Sequence, residues 1–296
     1  MAQKAPKRVP TGIDGLDPLI QEGFLPGKSY LVTGDAGTGK TTACLQFLLK
    51  GLTNGEKAVY VTVDERPSDL LDSAGSLGWD LQRFIADKTL VILDAAPYFS
   101  ARAGAGRERD VDIQRIVTDL GSHITRMEAK RLVIDPIGPL IKADTPSGRS
   151  EEQARQLIRL LQTQLQTTNL LSSPLLGRAD HEGSGIEEFL ASGVIALRMF
   201  PTGERFTRAL WVKKMRGTAV IPTEYEFDIQ NGKGVVLLGP LSKPATAQPV
   251  AAAQPAAAPP PAPESAPRAA QANGSAAVDD PGKPILQPFE PEKLSK

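Results

Sequence analysis

The chain has 296 residues and sets 34 basic side chains against 34 acidic ones, for a net charge of zero. Neutrality argues against a nucleic-acid binder that works by bulk electrostatics. The single cysteine, Cys44, excludes an intrachain disulfide and a cysteine-based metal cluster, and no run approaches the roughly 18 apolar residues of a membrane-spanning helix.

In chain order, residues 1–7 read as a disordered N-terminus. The opening MAQKAPKRVP lacks a signal peptide's apolar core, so a cytoplasmic protein is the expectation. From there to residue 240 short apolar runs alternate with helix-period segments. SYLVTG (29–34), AVYVTV (58–63), TLVILD (89–94), RLVID (131–135) and NLLSS (169–173) read as strands. They are continuously apolar, which suits a parallel sheet covered on both faces. Ile113, Ile116, Val117, Leu120 and Ile124 share one helical face, as do Ala154, Leu157, Ile158, Leu161 and Leu165. Strand and helix in alternation predict a mostly parallel, doubly wound α/β sheet. GVIALRM, ALWVKKM, EYEFDI and GVVLLG then follow one another, with a hairpin signal at NGKG (231–234), and predict an antiparallel C-terminal extension.

Residues 241–281 change character. Their Ala/Pro repeats have almost no large apolar side chain, which predicts a disordered, semi-stiff tether. In the final segment, 282–296, Ile285, Leu286 and Phe289 reappear. A short apolar cluster at the end of a tether suggests docking on a protein partner or on the chain's own assembly.

The first strand runs into GDAGTGKTT, a complete G-x-x-x-x-G-K-[ST] motif before a helical segment. This predicts a nucleotide-binding loop of Gly34, Asp35, Ala36, Gly37, Thr38, Gly39, Lys40, Thr41 and Thr42. Glycines let backbone N–H groups turn toward phosphate, Lys40 reaches the β- and γ-phosphates, and the Thr41 hydroxyl holds Mg2+. ATP and Mg2+ are therefore the expected ligands. Hydrolysis also needs an acid near the metal and a group that orients water. Asp135 ends one apolar strand and Asp94 another. Asp135 is preferred because a basic residue precedes its strand and a loop follows directly; Asp94 reads as a strand-end cap. In the stretch VYVTVDERPSDLL, Asp64 and Glu65 end a further strand. Ligands of open α/β sheets sit outside the carboxyl ends of the strands, so Glu65 is the candidate that polarises water, with Asp64 as its tuning partner. The alternative is ordinary strand-end solvation.

Beyond the loop motif, LGWDLQRFIADKTLVILDAAP, RLVIDPIGPL, GIEEFLASGVIALRM and KKMRGTAVIPTEYEFDI resemble the KaiC family of the RecA/RadA-type P-loop ATPases, over roughly residues 9–230. The resemblance implies a RecA-like ATPase domain over 8–240, rings that are commonly hexamers, and ATP held between neighbouring subunits. It implies a pair of catalytic acids where this chain has Asp64 and Glu65; the family usually has two glutamates. It also implies that Lys214, Met215, Arg216 and Thr218 (K-x-R-G-T) form a trans interface with the neighbour's nucleotide, and that Arg198 points at the neighbour's γ-phosphate. A lysine common just before E-Y-x-F is absent, with Pro222 in its place. A Ser-Thr phosphorylation pair is absent from EEFLAS, so self-kinase activity is not carried over.

The expected function is a nucleotide-dependent regulatory ATPase that turns over slowly in a ring. Two other readings stay open: a recombination-type ATPase acting on DNA, and a nucleotide-binding scaffold with little turnover. Two loops remain, 98–110 with Arg102, Arg107 and Arg109, and 175–185 with His181. The second has no aromatic to stack on bases, which counts against DNA.

Overall fold

In the computed structural model, residues 7–96, 112–141, 147–174, 190–241 and 286–291 are described, with no side-chain detail for 147–151. The loops at 98–110 and 175–185, the N-terminal six residues and the stretch from Ser242 to Ile285 lie outside them. Ten strands form one sheet in the order β10-β3-β2-β4-β5-β1-β6-β7-β8-β9. They are β1 Ser29–Gly34, β2 Ala58–Thr62, β3 Leu90–Asp94, β4 Arg131–Asp135, β5 Thr168–Ser173, β6 Gly193–Thr202, β7 Arg205–Met215, β8 Glu224–Gln230, β9 Gly234–Pro240 and β10 Gln287–Pro288. From β3 to β6 every pairing is parallel; β6 to β9 form an antiparallel meander. This is the predicted architecture, with the β6–β7 hairpin longer than the sequence suggested.

The central strands are buried on both faces because helices cover both. On one face Tyr30, Val32, Tyr60 and Ile92 pack with Phe47, Leu48 and Leu70. These come from α1 (Lys40–Thr53) and α2 (Pro67–Ser76), beside the short α3 (Gln82–Ala86). On the other face Leu31, Val59, Val61 and Leu93 meet the apolar stripes of α4 (Ile113–Met127) and α6 (Ser147–Gln164). A short α5 (Gly138–Ile141) links β4 to α6. Alternate residues of a single strand thus feed two different cores. The start of α4 is set by Asp112, whose side chain accepts a hydrogen bond from the Arg115 N–H at 2.9 Å. Pro67 opens α2, where its missing N–H costs nothing. Among the described residues no helix is long and apolar enough to cross a membrane.

Arg131, the basic residue whose position favoured Asp135 in the sequence, is a buried strut. Its side chain is fully enclosed, stacks 4.6 Å over the Phe47 ring and donates to the Pro10 and Phe47 carbonyls and to Glu56 at 2.6 Å. Stranding such a charge by removing its partner costs about 3–5 kcal/mol when the pair is fully buried. Glu56 is one-third exposed, so the cost here is lower. The arginine pins the N-terminal segment to α1 and β4.

The apolar cluster at the chain's end docks on the chain itself. Gln287 and Pro288 pair antiparallel with Asp94 and Leu93 of β3, and Leu286 is 1% exposed. An open edge strand is a surface that favours pairing, and this one finds a segment of its own chain.

Candidate functional site

The loop between β1 and α1 joins a fully buried strand to a helix whose first residue is Lys40. Gly34 and Gly39 are required by geometry. A Cβ on Gly34 would lie 2.7 Å from the Leu197 carbonyl oxygen. Gly39 has φ +104°, and a Cβ there would lie 2.9 Å from Ile229 Cδ1. Asp35, Ala36 and Gly37 are exposed, and Thr38 is buried with its hydroxyl donating to the Asp35 carbonyl at 2.8 Å. Lys40 Nζ lies back over the loop, donating to the carbonyls of Gly34 at 2.8 Å and Asp35 at 2.9 Å. Burial pulls its pKa down from 10.5, while Asp135 and Asp35 push it up. Thr41 and Thr42 are half-buried on the first turn of α1.

Asp135 ends β4, two strands from β1. It is 8% exposed, and both oxygens are held: Tyr60 Oη donates to Oδ2 at 2.7 Å and Ser172 Oγ donates to Oδ1. Each carboxylate oxygen accepts twice, so these donors orient the group and leave lone pairs over. Asp94 stands four strands from β1 and accepts from the Ala96 N–H at 2.9 Å, which makes it the cap of its own strand. Sequence reasoning missed Tyr60 and Ser172. The available signal was a hydroxyl within each of two apolar strands, VYV and NLLSS; their pairing with one carboxylate needed the strand order.

Asp64 and Glu65 follow β2, which lies next to β4. Asp64 is exposed and Glu65 half-buried, with Glu65 Oε1 accepting from Ser73 Oγ at 3.5 Å. Burial raises the pKa of both above their ordinary values, and the charge of Asp135 raises them further; Asp69 adds to Glu65, and Ser73 opposes. The same Asp135 charge acts on Lys40. Lys40, Asp135, Asp64 and Glu65 therefore share one electrostatic neighbourhood at the carboxyl ends of the strands. It offers a cation and turned backbone N–H groups for phosphate, an oriented carboxylate, and an acid with raised proton affinity.

The other candidates do not join it. Arg198 lies one residue past Leu197, which is opposite Gly34, but its guanidinium pairs with Glu224 and stacks over Phe200 and Trp211 at 4.6 and 5.9 Å. Lys214 and Met215 pair with Val194 and Gly193, at the amino ends of the parallel strands. Arg216 follows them, and Thr218 Oγ1 accepts from Arg8 at 2.7 Å. Met215, within the same K-x-R-G-T segment, has its side chain inside the chain. It is 7% exposed, with its sulfur over Gly193, because alternation along β7 turns it into the chain's own core.

The KaiC ATPase family model matches residues 9–242. The circadian clock oscillator protein KaiC of Thermostichus vulcanus is 35% identical over 239 residues, covering 79% of this chain and 45% of that protein. Its namesake in Nostoc sp. (strain PCC 7120) is 34% identical with the same coverage. The chain thus spans about half the length of the curated relatives it matches. The crystal structure of a KaiC-like protein from Pyrococcus horikoshii OT3 superposes with a TM-score of 0.67 at 31% identity, over 79% of this chain and 99% of that one. With a P-loop between β1 and α1 and a RecA-like sheet around it, the chain belongs to the KaiC family of P-loop ATPases.

Proposed function

We propose that this chain binds Mg-ATP at Gly34–Thr42 and hydrolyses it slowly as one subunit of a cytoplasmic homo-oligomeric ring, hexameric by resemblance, in which the bound nucleotide is a conformational signal. The observation that carries the reading is that Lys40, Asp135 and Glu65 all lie at the carboxyl ends of neighbouring parallel strands, with Thr62 of β2 in register with Asp135. In it, Lys40 exchanges its two loop carbonyls for phosphate oxygens. Glu65 accepts the proton of the attacking water, and its raised proton affinity suits it to that task. Burial and the Asp135 charge keep that affinity high, and Asp64 stands beside it as a second acid. Among the described residues no three His, Cys, Asp or Glu cluster as a dedicated metal cage. A hydroxyl and a carboxylate, Thr41 and Asp135, are the hard oxygen donors that suit Mg2+ beside a polyphosphate; the ion supplies neutralisation of phosphate charge.

Lys214, Arg216 and Thr218 sit at the opposite end of the strands from their own P-loop, which supports a role toward the nucleotide of a neighbouring subunit. Arg198, at the P-loop end of β6, takes a separate role toward a neighbour's nucleotide once it leaves Glu224. The test is complementation. Glu65→Gln and Arg216→Ala chains, each slow alone, regain about a quarter of wild-type turnover when mixed one to one and allowed to exchange, the statistical share of complete head-to-tail interfaces. A mixture no faster than the mean of its components contradicts the shared site. One observation favours a scaffold with little turnover: Arg198 is engaged within its own chain by Glu224.

A further inference from the structure

We propose that the outer edge of β3, flanked by α4, is a docking site for an extended Leu-x-Pro-Phe segment, and that its occupant is this chain's own Leu286–Phe289, held reversibly in cis. The contacts have the form of strand addition. The Phe289 N–H donates to the Ile92 carbonyl at 2.8 Å, and the Leu286 N–H donates to Asp119 Oδ2 on α4 at 2.7 Å. Leu286 enters the core beneath α4 and α6, whereas Phe289 packs against the core on the other face. The segment therefore clasps both sides of the sheet at its edge, and the two apolar side chains define the motif. Gln287 and Pro288 face solvent between them. Pro288 has no N–H to offer a further strand, so the occupied edge ends the sheet instead of extending it.

Among the described residues the contact includes two hydrogen bonds outside the pairing of β10, one buried leucine and one part-buried phenylalanine. Such a segment binds weakly as a free peptide. Joined to residue 241 through the Ala/Pro-rich stretch 242–285, it sees an effective concentration on the order of millimolar. An edge closed by about tenfold then corresponds to a free-peptide Kd of about 0.1 mM, tight enough to hold and loose enough to release. The open edge then presents Leu90–Asp94, next to the strand that delivers Glu65.

Two experiments on the full chain test this. In the first, a labelled peptide of residues 282–296 is titrated by fluorescence anisotropy. It binds the Leu286→Asp, Phe289→Ser double variant at least tenfold more tightly than wild type, whose edge is already filled. Equal binding to both, or none to a variant whose circular dichroism and melting match wild type, overturns the docking site. In the second, Asp94→Cys is combined with Gln287→Cys and oxidised mildly. A cross-linked monomer is expected on a non-reducing gel. A dimer ladder overturns the cis assignment in favour of a second copy, and no cross-link overturns the docking itself.

Discussion

Lys40→Ala removes nucleotide binding, with Kd for a fluorescent ATP analogue raised about 100-fold or more and the thermal melt unchanged. Lys40 is the one side chain of the loop that carries positive charge, and its Nζ already rests 2.8 and 2.9 Å from the loop carbonyls. Hydrogen bonds to charged groups contribute about 1.5–3 kcal/mol each. Two such bonds to phosphate oxygens account for a loss of that size, since 1.4 kcal/mol is about a factor of ten. The fold does not depend on them. The bond to the Asp35 carbonyl is exposed and water replaces it. An ATP affinity equal to wild type shows that phosphate is bound elsewhere.

Glu65→Gln leaves binding within a few-fold of wild type and lowers turnover by about 100-fold or more, the range that general-base catalysis supplies. The amide keeps the shape and cannot take a proton from water. Burial, then Asp135, holds the Glu65 pKa above its ordinary 4.5. The ionised base is the active form, so wild-type turnover falls as pH drops through that raised value. Stability runs the other way. A carboxyl whose folded pKa is raised stabilises the fold below its unfolded pKa and loses that contribution as pH rises through the folded one. Glu65→Gln therefore melts higher than wild type at pH 7, and the gap closes near pH 4. A slow enzyme that is also more stable cannot be explained by misfolding. Turnover equal to wild type makes Glu65 only a strand-end acid.

The parts of the fold that were legible in the sequence are those set by local rules. Continuous apolar runs gave the parallel strands, the 3.6-residue period gave α4 and α6, and NGKG gave the β8–β9 turn. The loop motif was legible because glycine, lysine and threonine must stand at fixed spacing to cradle phosphate. What required the structure was non-local. Tyr60 and Ser172 meet on Asp135 only because β2 and β5 flank β4. Arg131 looked like a marker of the neighbouring acid and is a strut between segments far apart in sequence. Met215 lies inside a motif whose neighbours are half-buried or exposed, and only the register of β7 against β6 turns it inward. Strand β10 comprises two residues, too short for any periodicity, and its partner is remote in sequence. The Arg198–Glu224 pair likewise links β6 to β8 across β7, a proximity that spacing alone does not reveal.

A P-loop site completed by a neighbouring subunit makes Mg-ATP turnover per subunit depend on protein concentration, measured across a wide range. The rate climbs with concentration and saturates, with the rise weakened by Arg216→Ala. A real rate that stays flat from the lowest concentration upward contradicts it, because each chain would then carry a complete site of its own.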